Sequence, residues 1–336
     1  MSEIIKNNSD FLFIYEAIKC NPNGDPDQEN KPRMDYDTKT NLVTDVRVKR
    51  YIRDYLKALG TEIFVDMEGD SKVSVDTKLK AVIERSVADK DFIKTVFKEK
   101  PEFLQIYEKI FEKHNNDVDK ILKEIANKSF KHKDANYYLL EYLVKNKFID
   151  IRMFGGAFAV AGFTHAYTGA IQLNWGYSLN KVELMDSNSI VTIMNDDAST
   201  FGKDYRVYYS LLAFNGTINK YAAQTTGLTS DDRDEFRKAL WNSITALPTR
   251  SKLDQYPKLY VEIVYKDGYN NGYFGDLRNY VSVTPKGGLD YKQVRKFDDL
   301  VLSTSKLEKL INDNKGDIIK EVIIKRSPDV EFPDSF

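Results

Sequence analysis

Residues 20–57, CNPNGDPDQENKPRMDYDTKTNLVTDVRVKRYIRDYLK, concentrate the side chains best placed to do chemistry. Asn21, Asn23, Asp25 and Asp27 put an oxygen at every second residue, as a calcium loop does. The analogy fails at the sixth position, where the required Gly is Pro26, and at the twelfth, where the required Glu is Pro32. The same residues suit a rigid loop beside a phosphate groove. Asn and Asp close turns onto their own backbone, Pro22 and Pro26 restrict φ, and Gly24 permits a left-handed bend, so backbone amides can face outward. A loop held together for its own sake fits these residues equally well.

Charge adds a second signal. Residues 31–57 hold eight Lys or Arg against four Asp, a local balance of +4 in a chain whose formal charge is −1. One concentrated basic region in a near-neutral protein fits local binding of a polyanion. An ordinary solvated helix face has the same composition. Aromatic residues further along, Trp175 and Tyr177 on one side of a strand and Phe201 with Lys203 at an expected hairpin tip, would suit stacking on single-stranded RNA, although a strand Trp commonly enters the core.

Catalytic groups are harder to find. His114, His132 and His165 have no second His or Cys at ligand spacing, and neither a phosphate-binding G-x-x-x-x-G-K-[ST] nor a dinucleotide G-x-G-x-x-G occurs. No catalytic residue, no metal site and no cofactor is expected from these patterns.

The elements that must position these residues read as follows. Residues 11–19 form a strand, a cap at Thr44 or Asp45 opens a basic helix, and Val48, Ile52, Tyr55, Leu56 and Leu59 recur at helical spacing on its apolar face. Gly60 ends that helix, and 61–67 alternates as a second strand. Residues 71–147 contain no glycine and read as several helices, whose lysines form a solvated face. The small residues Ala157, Ala159, Ala161 and Gly162 allow close approach of a backbone or ligand. Strands follow at 170–177, 189–194 and 205–214, with a turn at 195–204. A helix capped by Ser230 or Asp231 runs to Ala246, and a strand covers 258–266. Without the insertion the order is β-α-β then β-α-β, that of a ferredoxin-like or RRM-like α+β sheet.

At 336 residues with 42% hydrophobic and 30% charged side chains, the chain has the length and composition to bury a core. The lone Cys20 excludes an internal disulfide, residues 1–10 lack a signal-peptide core, and no apolar run nears the roughly 20 residues that span a bilayer. A cytoplasmic protein with no membrane partner is the expectation.

The runs NPNGDPD (21–27), N-x-P-R (30–33) and TDVRVKRYIRDY (44–55) resemble the signature of the CRISPR-associated Cascade backbone family, the seventh Cas family of the RAMP superfamily, in its subtype I-B branch. Further matches are DIRMFG (150–155), GAIQLNWGYSLNKVEL (169–184), Phe-Gly-Lys (201–203) and TGLTSDD (226–232). The resemblance implies an RRM-like palm formed by 1–68 and 149–336, a helical finger insertion at 69–148 and a β-hairpin thumb near 189–210. It also implies copies lined up along a CRISPR RNA, with other Cascade subunits as partners and target DNA recognised by pairing to the guide. Carried over residue by residue, RNA contact falls to Asn21, Asn23, Lys31, Arg33, Lys49, Arg50 and Arg53, with Gln172 and Trp175; Phe201, Lys203 and Arg206 fall to the thumb. A rival reading is a metal-dependent endoribonuclease of the same superfamily, with Asp25, Asp27, Asp35 and Asp37 near the groove.

Overall fold

The computed structural model of the chain describes residues 2–66, 75–160, 162–186, 189–195 and 198–336, and the side chains of these except 75–76, 159–160, 189–195 and 198–202. Two compact units emerge. One comprises Met1–Ile5, Leu56–Ala170 and Tyr221–Arg233, and the other Lys6–Tyr55, Ile171–Lys220 and Asp234–Phe336.

The second unit is built on an antiparallel sheet of eight strands: β1 (Ser9–Ile18), β2 (Met34–Asp35), β3 (Thr40–Val43), β4 (Ile171–Leu173), β5 (Gly176–Ser178), β6 (Tyr209–Ile218), β7 (Gln255–Tyr265) and β8 (Ile319–Arg326). Their order is β8-β7-β1-β6-β5-β3-β2, with β4 also paired to β6. Central β1 pairs β6 along its whole length, from Ser9 opposite Ile218 to Ile18 opposite Tyr209, and β7 on its other side. Its first nine residues are buried, which is why FLFIY reads as a continuous apolar run and not as an alternation.

Alternation still decides which face each side chain enters. Phe11 meets Phe236 of the long helix Ser230–Ala246 at 5.5 Å between ring centroids, and Tyr15 stacks on Phe214 at 5.9 Å. Leu12 and Ile14 turn the other way, into a core with Leu277, Val281, Leu300, Leu307 and Ile311. Helices therefore serve one face and the C-terminal segment covers the other.

Helix α1 (Asp45–Ala58) follows the first loop. Thr44 caps it, its hydroxyl accepting from Arg47 N at 3.3 Å, and Val48, Ile52 and Leu56 are fully buried at four-residue steps. At its end Gly60 (φ 87°) donates to Lys57 O and Thr61 to Leu56 O, a left-handed cap that leaves Leu59 outside the helix and 59% exposed, against the expectation that it joins the apolar face. Residues 61–66 form no strand. The strand that follows α1 in the sheet is supplied instead by β4 and β5, beyond the helical insertion.

The first unit holds α2 (Val75–Ala88), α3 (Lys90–Val96), α4 (Pro101–Lys113), α5 (Val118–Ile125), α6 (Lys133–Lys147) and α7 (Ile149–Phe154), then a hairpin of Gly155–Val160 with Phe163–Thr168. Buried Asp150 accepts from the amides of Phe64 (2.8 Å) and Val65 (2.9 Å), and Arg152 forms a two-pronged pair with Asp232 at 2.6 and 2.8 Å. Gly155 sits at φ 76° where an added Cβ would lie 2.3 Å from Tyr167 O, so glycine is required there by backbone packing and not by a ligand. Helix α8 (Lys220–Thr226) and α9 (Ser230–Ala246) follow β6. Thr229, one residue before the expected caps, holds the start of α9 by accepting from Asp232 N. Among the described residues no helix is long and apolar enough to cross a membrane.

One buried ion pair fastens α9 to the sheet. Glu262 of β7 is fully buried and accepts from Arg237 Nε (2.7 Å) and Nη2 (2.9 Å), Ser9 Oγ (2.6 Å) and Tyr260 OH (2.6 Å). Burial alone would raise its pKa, but Arg237 and the two hydroxyls hold it below the usual carboxylate value. Arg237→Ala should cost about 3–5 kcal/mol in chemical denaturation, because it strands a buried carboxylate. A depressed carboxylate contributes stability above its unfolded pKa of about 4.3 and loses it as pH falls through the folded value, so wild-type denaturation midpoints should drop on that side of the window and those of Glu262→Gln should drop less.

Candidate nucleic-acid interface

The loop after β1 is held by its own polar side chains. Asn23 Oδ1 accepts from both the amide and the hydroxyl of Thr44 at 2.9 Å, and its carbonyl accepts from Arg33 N at 3.0 Å. Asn21 is buried, donating from Nδ2 to Asn30 O (2.8 Å) and from its amide to Ser251 O (2.9 Å). The left-handed residues here are Lys19, Glu29, Asn30 and Lys39, not Gly24. Gly24 is needed for another reason: a Cβ there would lie 1.9 Å from Asn30 Oδ1. Both asparagines assigned to RNA contact thus build the loop, although Asn21 Oδ1 remains buried without a partner.

Beneath and beside this loop cations gather around few carboxylates. Lys252 bonds to Asn21 O, and its pKa is lowered to about 8 by burial first and by the nearby Arg47 guanidinium second. Arg47 lies over the Tyr51 ring at 4.0 Å, and its Nε is buried without a partner. Arg206 reaches Lys19 O at 2.9 Å and shares Asp204 with Arg250, at 2.8 and 3.0 Å. Arg206, Arg250 and Lys252 thus answer to Asp204, with Asp254 a second acid near Cys20. The Cys20 thiol itself is pushed up to about 12 by burial, which removes it as a nucleophile.

Further along the loop, Lys31 lies over Tyr205 at 5.1 Å and Arg33 over Trp175 at 5.8 Å, while Arg33 also faces Asp25 at 3.4 Å. Trp175 is 49% exposed: the expected strand 170–177 breaks at Asn174 and Trp175, between β4 and β5, and turns the indole outward. Buried Arg278 fixes that bend by donating to Trp175 O at 2.8 Å while lying over Tyr177 at 4.1 Å. Gln172 is exposed on β4.

The α1 cations sit differently. Lys49 bonds Asp45 at 2.8 Å, Arg50 pairs with Asp54, and both are half-buried, as is Arg53. Intrahelical carboxylates engage the first two, and Arg47, one turn earlier, is the α1 residue that joins the loop cluster.

The expected thumb is a hairpin of Ser189–Asn195 with Ala198–Lys203, in register from Ser189 opposite Lys203. Phe201 and Lys203 therefore belong to its returning strand and not to a turn, and the side chain of Phe201 lies outside the described residues. Lys203 Nζ and Tyr205 OH both reach Glu29 at 2.9 Å, and these contacts, Lys203 foremost, lower the Glu29 pKa.

Two of the four carboxylates of the rival reading, those of Asp25 and Asp35, are engaged locally. Asp25 accepts from Asp27 N at 3.2 Å, and Asp35 takes Thr38 Oγ1 at 2.7 Å and Asp37 N at 3.1 Å, with the Thr38 bonds lowering its pKa. Arg47, Arg250 and Lys252 were absent from the sequence-derived set. The basic loop TRSKLD (249–254) before β7 is the signal that points to the last two.

A family model described as CRISPR-associated protein Cas7 matches residues 7–305. A curated relative, the CRISPR-associated protein Cas7 of Haloferax volcanii, is 28% identical over 316 residues, which cover 90% of this chain and 82% of the relative. A solved chain from a "CRISPR RNA-guided surveillance complex, pre-nicking" superposes with a TM-score of 0.54 at 13% identity, covering 98% of this chain and 95% of that one. Its likeness is one of fold. A match to the family model over most of its length places this chain in the family of CRISPR-associated protein Cas7.

Proposed function

We propose that this chain is a guide-RNA-binding backbone subunit of a Cascade effector complex of subtype I-B. Copies polymerise along the CRISPR RNA, hold its backbone and leave its bases to pair with target DNA. The observation that carries this reading is the cation cluster at the first loop, Arg47 beside Lys252 and Arg206 with Arg250 on Asp204, in a chain of this family. Phosphodiester recognition needs such concentrated positive charge and no base-specific groups. Membership of surveillance complexes, as described for the solved chain of similar fold, supports the same assignment and a cytoplasmic setting.

The strand order β7-β1-β6 followed by β4 and β5, with α1 and α9 as the two crossovers, fits an RRM-like or ferredoxin-like palm. On this reading the helices of 69–148 are fingers and the hairpin near 189–210 is a thumb. An ordinary RRM stacks bases on its open sheet face. Here Leu277, Val281, Leu300 and Leu307 cover that face, so RNA is held at the strand ends, by the loop cluster and the exposed Trp175 under Arg33. Lys31, Arg33 and Trp175 then contact the guide directly, while Asn21 and Asn23 shape the loop.

Three outcomes test this reading. Arg47→Ala with Lys252→Ala should weaken binding similarly for unrelated guide sequences and flatten the log–log salt dependence by about 0.7 per lost phosphate contact, read by filter binding; unchanged slope in a folded variant would remove the cluster from the interface. A phosphate raises the pKa of a lysine held near 8, so RNA binding at pH 8 should take up protons and affinity should fall as pH rises through that value. Calorimetry in two buffers of different ionisation enthalpy reads the uptake, and Lys252→Met should abolish it. The chain is also proposed to cut neither RNA nor DNA: magnesium-dependent cleavage of complementary RNA that disappears on Asp25→Ala would establish the ribonuclease reading instead.

A further inference from the structure

Part of the helical unit carries a second concentration of charge that the guide-binding reading leaves unused. A groove of about 740 Å³ lies between α4, α5 and the segment before α6, floored by Ile106, Ile110 and Phe130. Five lysines line it: Lys109 and Lys113 from α4, Lys120 and Lys123 from α5, and Lys131. All five are exposed residues, and Ile106, Ile110 and Phe130 give the same groove an apolar part.

The acids do not match them. Glu124 is the lining carboxylate, and it already accepts from Lys113 (2.8 Å) and His114 (2.5 Å). Lys113 foremost, with His114, holds the Glu124 pKa below its usual value, so it stays charged and occupied. Lys120 is paired with Asp117 at 3.0 Å outside the groove lining. Lys109, Lys123 and Lys131 have no ion-pair partner among the described residues, so three lysines from three separate segments line one groove without a paired acid.

A solvated face scatters its charges outward and alternates signs, as intrahelical pairs do elsewhere in this chain. Five lysines lining one groove with a single, already engaged carboxylate match a ligand that brings several phosphates in sequence. The floor adds ring surface: half-buried Phe130 sits edge-to-face with His132 at 5.8 Å, both in the lining. Rings beside a row of ammonium groups suit unpaired bases, which a duplex keeps stacked inside.

We propose that this groove binds an unpaired nucleic-acid strand by its phosphates, independently of the first-loop cluster. The inference stands apart from the guide-binding reading, since it uses none of the same residues.

The test uses the full chain freed of co-purifying nucleic acid, a fluorescent oligothymidylate as the probe, and anisotropy across a salt series. Lys109→Ala, Lys123→Ala and Lys131→Ala together should flatten the log–log salt slope by about 2, at ~0.7 per phosphate, and the triple Lys→Arg variant should restore it. Arg47→Ala with Lys252→Ala serves as the parallel arm. Loss of oligothymidylate binding in the groove variant with guide affinity retained supports the proposal, whatever the parallel arm shows for the first loop. Unchanged slope and affinity in a groove variant with wild-type circular dichroism overturn it. So does a loss confined to blunt duplex DNA or to inorganic tripolyphosphate, which would mean a different occupant.

Discussion

Burial of both faces of Ser9–Ile18 is the constraint from which the rest of the second unit follows. A strand with an aromatic face against helices and an aliphatic face against the C-terminal segment has no side chain left for a partner. Whatever this sheet does must be done at its edges and where its strands end. The loop that leaves β1 is the first such place, and the chain loads it with turn-forming oxygens on one side and cations on the other. Packing thus dictates the location of the site before electrostatics decides its character.

That character comes from crowding like charges. Bringing Arg47 beside Lys252, and Arg206 beside Arg250, opposes folding unless other interactions hold them, and the hydrogen bonds of Asn21, Asn23 and Thr44 together with the Tyr51 ring do so. The stored repulsion is what an anion relieves. A chain with a formal charge of −1 has no general attraction for nucleic acid, so on the proposed reading binding depends on this local arrangement surviving in the folded state.

Residues that carry the family resemblance most strongly turn out to do structural work. Asn23 ties the loop to the start of α1, Asp150 holds the amides of Phe64 and Val65, Arg152 grips Asp232, and Gly155 occupies a position that a Cβ cannot share. Such positions tolerate little change because each satisfies buried polar groups or avoids a backbone clash. A signature of this kind reports the fold reliably. The same side chains can build a loop and face a ligand, so the signature by itself does not separate the two roles at Asn21 and Asn23.

Local physics is legible in the sequence, and much of this protein is local. Apolar spacing located β1, α1 and the helical insertion, cap residues and Gly60 marked helix ends, and the excess of Lys and Arg over Asp in 31–57 marked the basic region. Tertiary structure decided the rest. Only pairing across the sheet shows that β4 and β5, and not 61–66, supply the strand after α1, because a short alternating run carries no record of its partner. Only the break at Asn174–Trp175 turns the indole outward, since a Trp in an apolar run reads as core until its backbone geometry is known. The loop at 249–254 joins the site through contacts over two hundred residues away in sequence, between Lys252 and Asn21, and periodicity within one segment cannot encode a neighbour that distant.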